Sequence, residues 1–232
     1  RIAPGTRPAF LQQAHGTQVV ELSAISPPLP PLFSAAPCAD ACATTAAGVA
    51  CTIMVADCLP VLLTNRQGSA VAAAHAGWRG LAGVSGVSGV GVLETVFKRF
   101  MALTQAQQAQ AAIKNEAFES SAPSHCADIL VWLGPCIGPQ AFEVGTEVRA
   151  AFCDHDSAAA AHFVAQGAGK YLADLAALAR QRLRALGVEQ VYGNDSSAAW
   201  CTVGNASRFF SHRLASQVGA ASGRFAVCIW RD

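Results

Sequence analysis

Apolar residues in this chain gather in short runs with little alternation. Residues 49–55, 61–64, 70–74 and 129–133 are each built largely from small, aliphatic and β-branched side chains. Runs of that length predict strands covered on both faces. Residues 18–22, 188–192, 209–210 and 225–230 are further strand candidates. Helical spacing appears elsewhere. Over 170–186, Leu172, Leu175, Ala176, Ala179, Leu183 and Leu186 fall on one face. Gly187 follows where a helix C-terminus favours a left-handed residue. Residues 92–101 and 143–152 are also read as helices. The connections include a Pro-rich stretch at 25–37, the turn NRQG at 65–68, and a low-complexity GVSGVSGVG repeat at 83–91. The polar Ala/Gln/Ser-rich stretch at 104–126 reads as a variable insertion. Strands and helices intermingle, with hairpin-like pairs near the middle and no linker. The pattern predicts one domain over residues 1–232, α/β (α+β), with a mixed central sheet flanked by helices.

Composition narrows the function. Of 232 residues, 52% are hydrophobic and 13% charged, against about 25% charged in an ordinary soluble domain. That excludes a disordered chain, which needs the reverse balance. Sixteen Lys and Arg against 15 Asp and Glu leave no basic excess to neutralise phosphates, so no nucleic-acid partner is expected. The longest uncharged stretch, 22–39, contains Pro27, Pro28, Pro30, Pro31 and Pro37, which bar a spanning helix. No membrane partner is expected. Nine scattered cysteines with no CxxC pair suggest a reducing compartment, and a cytoplasmic location is expected. The chain opens at Arg1 without Met or signal peptide, so a preceding segment is expected.

Three short words combine reactive side chains with turn-forming neighbours: QQAHG at 12–16, ADCLP at 56–60 and AHAGWRG at 74–80. Each lies at the edge of an apolar run, where a sheet delivers side chains to a cleft. His15, Cys58 and His75 make a three-ligand metal site with one position left open. Their spacing is not that of a compact zinc finger, and buried structural roles compete with ligation. Arg79 stands in a Gly-Trp-Arg-Gly turn leading into a helix, a natural anion site or an ordinary surface arginine. GPCIGP at 134–139 is a rigid turn, and Cys136 within it has no evident partner. His212 and Arg213 end an aromatic run. His125, His155 and His162 lie in variable stretches and are expected to face solvent.

These words, together and in order, resemble the laccase-domain family, also called polyphenol oxidoreductase or YfiH-type proteins. The matching segments are QQAHGTQVV (12–20), ADAC (39–42), VADCLPVLL (55–63), AAAHAGWRG (72–80), LGPCIGPQAFEVG (133–145), KYLADL (170–175), FFSHR (209–213) and GRFAVCIW (223–230). The family usually carries a segment ahead of the QxHG word that is absent here. The GVS repeat and the 104–127 insertion depart from its usual length. The resemblance implies a single α/β domain with one zinc per chain, held by His15, Cys58 and His75. It implies purine nucleosides and phosphate as partners. The reactions are phosphorolysis of adenosine, inosine, guanosine and S-methyl-5'-thioadenosine, and hydrolytic deamination of adenosine. Some bacterial members are linked to peptidoglycan precursor editing. The older copper polyphenol oxidase label fits poorly, because a multicopper centre needs more histidines than the six present. A single copper in the same site remains compatible with its ligands.

On this reading the metal activates water for attack at C6 of adenine. Arg79 is expected to hold phosphate. Asp57 and Asp40 are expected to transfer protons or to orient a ligating imidazole, and Cys58 to belong to the catalytic group. Phe142 and His212 are expected to approach the cluster and line the base pocket. A rival reading makes Cys58 the nucleophile and His75 the base of a Cys–His hydrolase or amidase. A third is a zinc-stabilised interaction module. The sequence does not fix the oligomeric state.

Overall fold

A computed structural model describes residues 3–23, 36–84, 89–114 and 126–232, with backbone alone at 111–114. His125, most of the Pro-rich connection, the middle of the GVS repeat and the end of the polar insertion lie outside the described residues. The chain forms a mixed α/β domain, as the intermingled pattern predicts. In order, the strands and helices begin with β1 (Arg7–Ala9), β2 (Val19–Glu21), β3 (Ala41–Thr44), β4 (Val49–Val55), β5 (Leu59–Asn65), β6 (Val71–Ala76), α1 (Trp78–Ala82) and α2 (Val92–Lys114). They continue with β7 (Ile129–Leu133), β8 (Glu143–Val144), α3 (Thr146–Cys153), β9 (Phe163–Gly167), β10 (Lys170–Ala173), α4 (Leu175–Ala185), β11 (Gln190–Gly193), α5 (His212–Gln217) and β12 (Phe225–Ile229).

The central sheet runs β11-β7-β5-β6-β3-β2 and is mixed. Its outer pairs, β11 with β7 and β2 with β3, are parallel, and the inner pairs are antiparallel. A second sheet, β1-β4-β12, packs on one face, and α1, α2 and α4 cover the other. Side-chain alternation explains why the strands show no polar face. In β3 and β6, Ala41, Ala43, Ala72, Ala74 and Ala76 turn towards the helices, while Cys42, Val71 and Ala73 turn towards Cys51, Ile53 and Val55 of β4. Both faces are buried, so both must be apolar. Asp40 and His75 continue the rows of Cys42 and Ala73 to the end of this sandwich. There the second face stops being a core and becomes the wall of a cavity.

Several elements differ from the sequence expectation. Residues 170–186 are not one helix. Lys170–Ala173 pairs with β9 and β8, and the helix starts only at Leu175 because Asp174 caps it, accepting from the Ala177 amide at 2.9 Å. The end of that helix matches: Gly187 has φ 79°, and its amide and that of Val188 reach back to Arg184 and Leu183. The helix expected over 143–152 begins at Thr146, after the short strand β8. The polar stretch from 104 is not wholly an insertion, since α2 continues through it to Lys114. Phe209 and Phe210 form no strand. The Phe209 amide donates to Asn205 in a turn. No helix among the described residues is long and apolar enough to cross a membrane.

Candidate active site

The bend between β4 and β5 carries the chain from one sheet to the other, and Cys58 sits on it. His75 lies at the end of β6, and His15 on the loop before β2. Among the described residues, His15, Cys58 and His75 bring one ligand atom each to within 4.8 Å of one another. A tetrahedral zinc of ordinary bond lengths holds such atoms about 3.3–3.6 Å apart, so little movement completes the site. The donor set suits zinc or copper, with two imidazoles and a thiol.

Asp40 organises this cluster. It is 1% exposed. Its carboxylate accepts from three successive amides, those of Ala14 (3.2 Å), His15 (2.8 Å) and Gly16 (2.7 Å). It also bonds Nδ1 of His75 at 2.8 Å. That contact commits Nδ1 and leaves Nε2 of His75 for a metal. The three amides hold His15 at φ 60°, a left-handed conformation rare outside glycine. One carboxylate thus fixes two of the three ligands. Burial alone pushes the Asp40 carboxyl up, but the bonds from His75 and the loop amides outweigh it and leave it below its ordinary value.

The same competition acts on the ligands. Burial pulls the His75 imidazole down, yet Asp40 and Cys58 raise it to about 9. Burial pushes the Cys58 thiol up, yet hydrogen bonds with His15 and His75 bring it down to about 7. The Cys58 thiol is therefore poised to become a thiolate, the form that binds metal or attacks an electrophile. Cys136 contrasts with it: burial pushes its thiol far above the ordinary value, and it bonds Asn194 at 3.3 Å.

Glycines let these segments close. A Cβ on Gly77 would stand 2.9 Å from Sγ of Cys58 and 3.0 Å from Cδ2 of His15. A Cβ on Gly80 would stand 2.7 Å from the carbonyl oxygen of Gly16. The glycines of HAGWRG are thus required by close approach to the other two words.

Asp57 departs from the role of imidazole orienter. Its φ is 88°. Its carboxylate accepts from the Thr202 hydroxyl at 2.5 Å and the Arg213 amide at 2.6 Å, and its carbonyl from the Ile137 amide at 2.8 Å. It ties the 201–213 segment and the GPCIGP turn to the bend that bears Cys58. The carboxylate that holds an imidazole is Asp40.

His15, Cys58 and His75 open into a cavity of about 400 Å³. Met54, Asp57, Trp78, Ile137, Phe142, His212 and Arg213 share its lining, as do Ser222, Gly223 and Arg224. The structure therefore brings Phe142 and His212 to the cluster. It does not bring Arg79 into the lining: that side chain is exposed, with its guanidinium 4.5 Å from the Trp78 ring centre. Phe209 packs on Phe225 at 5.4 Å and Phe210 is 52% exposed, so neither forms the wall. Of the other histidines, His155 is exposed and His162 half-buried. Sequence reasoning missed Trp78, Thr202 and Arg224. Trp78 was within reach, since it lies inside the HAGWRG word.

Two overlapping matches to the family model described as multi-copper polyphenol oxidoreductase laccase cover residues 2–116 and 106–232. The chain belongs to this family. Among laccase-family relatives, the "Purine nucleoside phosphorylase YfiH" of Escherichia coli (strain K12) is 41% identical over 225 residues, covering 97% of this chain and 74% of its own length. The "Purine nucleoside phosphorylase PA4543" of Pseudomonas aeruginosa is also 41% identical, with the same coverage. The crystal structure of the Neisseria meningitidis protein NMB0706 matches at 40% identity and TM-score 0.71, covering 98% of this chain and 76% of that one. YlmD from Geobacillus stearothermophilus shares the fold at TM-score 0.72 and 24% identity, covering 98% of this chain and 74% of that one.

Proposed function

We propose that the protein is a zinc-dependent purine nucleoside phosphorylase. Its expected substrates are adenosine, inosine, guanosine and S-methyl-5'-thioadenosine, with hydrolytic deamination of adenosine as a second activity. One observation carries the reading: a His–Cys–His donor set opens directly into a cavity walled by Trp78 and Phe142. The cavity, about 400 Å³, has the size and mixed lining of a small-molecule site. Relatives named as purine nucleoside phosphorylases support it.

His15, Cys58 and His75 would hold the metal, and Asp40 would fix the ring of His75. When bound, the metal supplies a Lewis acid at the position the three donors leave open. The protein side chains do the rest. Trp78, Phe142 and Ile137 bury the faces of a flat base, and His212 meets a polar edge. Phosphorolysis then forms a bond from a phosphate oxygen to C1' of the ribose and breaks the bond from C1' to the purine nitrogen. The electron pair leaves with the base, which takes up a proton.

The experiment is a product analysis. The purified, metal-analysed protein is incubated with each of the four nucleosides, with and without phosphate. Phosphate-dependent release of free base supports the reading, and no base release from any of them contradicts it. A second reading has its own observation. Asp40 Oδ1 lies 2.8 Å from Nδ1 of His75, and His75 in turn bonds Cys58, so an orienting carboxylate, a base and a nucleophile stand in line. That order suits a Cys–His hydrolase working without metal. Chelation separates the two, since it abolishes the metal enzyme and spares the hydrolase.

A further inference from the structure

The cavity lining contains two arginines, and they differ in what they already hold. Arg213 is committed: its guanidinium donates to the carbonyls of Ala141 (3.2 Å) and Glu143 (3.1 Å) and lies 5.9 Å from the Phe142 ring centre. Arg224 is exposed and has no hydrogen-bond or ion-pair partner among the described residues. Its backbone is nevertheless fixed. The next residue, Phe225, pairs with Val55 at the end of β4, and its ring packs on Phe209 at 5.4 Å. That register sets Arg224 opposite the start of the bend that carries Asp57 and Cys58. A free guanidinium on an anchored Cα at the cavity mouth is the arrangement of a ligand clamp rather than of a roving surface charge.

The sign of the ligand follows from the rest of the lining. Asp57 is the one carboxylate among the lining residues, and both of its oxygens are taken, by Thr202 and by the Arg213 amide. Asp57 makes no ion pair with Arg224. An oxyanion entering the cavity would meet an unneutralised planar donor able to bond two of its oxygens. Arg79, the cation that sequence alone suggests, lies outside this lining.

We propose that Arg224 grips inorganic phosphate, the co-substrate of the proposed phosphorolysis, at the mouth of the cavity. This rests on the phosphorylase reading for its consequence, but its test has a readout independent of turnover. Arginine-directed labelling with phenylglyoxal is followed by peptide mass spectrometry on the full metal-loaded chain, with and without inorganic phosphate. Phosphate should slow labelling at Arg224 by at least about tenfold and leave labelling at Arg79 unchanged. In turnover, R224Q should raise the KM for phosphate at least about tenfold, with a much smaller change in the KM for nucleoside, and R224K should recover part of the loss. Metal content and Tm of R224Q should match the parent. Labelling at Arg224 that ignores phosphate, or an unchanged phosphate KM in R224Q, overturns the proposal while the phosphorylase reading stands. Protection of Arg224 in a chain that cleaves no nucleoside leaves the anion site in place and overturns the phosphorylase reading instead.

Discussion

The two walls of the cavity are built differently. On one side, Asp40, His15, Cys58 and His75 are locked by short hydrogen bonds, two left-handed residues and glycine contacts closer than a methyl group. On the other side, the side chains of His212 and Arg224 are exposed, and that of His212 meets Ser216 at 3.5 Å. The first wall has one workable geometry, which metal ligation demands. The second can adapt its side chains to what enters, which suits reading a substrate. Changes to the first wall should therefore act through metal and fold, and changes to the second through KM.

The largest effect is expected at Cys58. Cys58→Ala should bring metal content close to zero and cut activity by at least about a hundredfold, checked by elemental analysis and turnover. Asp40→Asn comes next. It leaves buried donors facing an amide that can also donate, so it should destabilise the fold by about 2–4 kcal/mol in denaturant titration and weaken metal binding by about 10–100-fold. Gly77→Ala sharpens the contrast. Gly77 has φ −69° and ψ 160°, which alanine adopts without strain, so the cost of its Cβ falls first on Cys58 and His15, the atoms nearest to it. Metal affinity should fall about tenfold or more while Tm changes by only a few degrees. A parallel loss of fold would show that the wall is not separately rigid. On the opposite wall, His212→Ala should raise nucleoside KM by about 3–10-fold, with stability within about 0.5 kcal/mol and full metal content. Cys136→Ala is expected to have the smallest effect on the site: metal is retained, with a loss near 1 kcal/mol for the buried thiol and its bond to Asn194.

The contrast also explains what was legible in the sequence. His15, Cys58 and His75 could be read because each stands in a word of glycines or prolines at the edge of an apolar run. Those glycines are there for close approach, which leaves a local trace. Asp40 was a candidate, but its grip on three loop amides needs the pairing of β3 with β6 to be known. Arg224 and Thr202 are separated from Cys58 by well over a hundred residues, and only the register of β12 on β4 brings Arg224 to the cavity. No local pattern encodes that. The fold divides in the same way. Strands β4 to β7 are visible as buried apolar runs, whereas Lys170–Ala173 carries a helical signal because Leu172 happens to fit the helical face of Leu175 and Ala179. The Asp174 cap and the pairing with β9 decide otherwise.

The most direct test of the central claim is phosphate-dependent cleavage of inosine by the full chain before chelation, after chelation, and after return of one equivalent of zinc. Free hypoxanthine is expected only when phosphate is present, with loss of that activity in the metal-free protein and recovery with zinc. Cleavage that continues undiminished in protein shown to be free of metal would contradict it and assign the chemistry to Cys58, His75 and Asp40 alone.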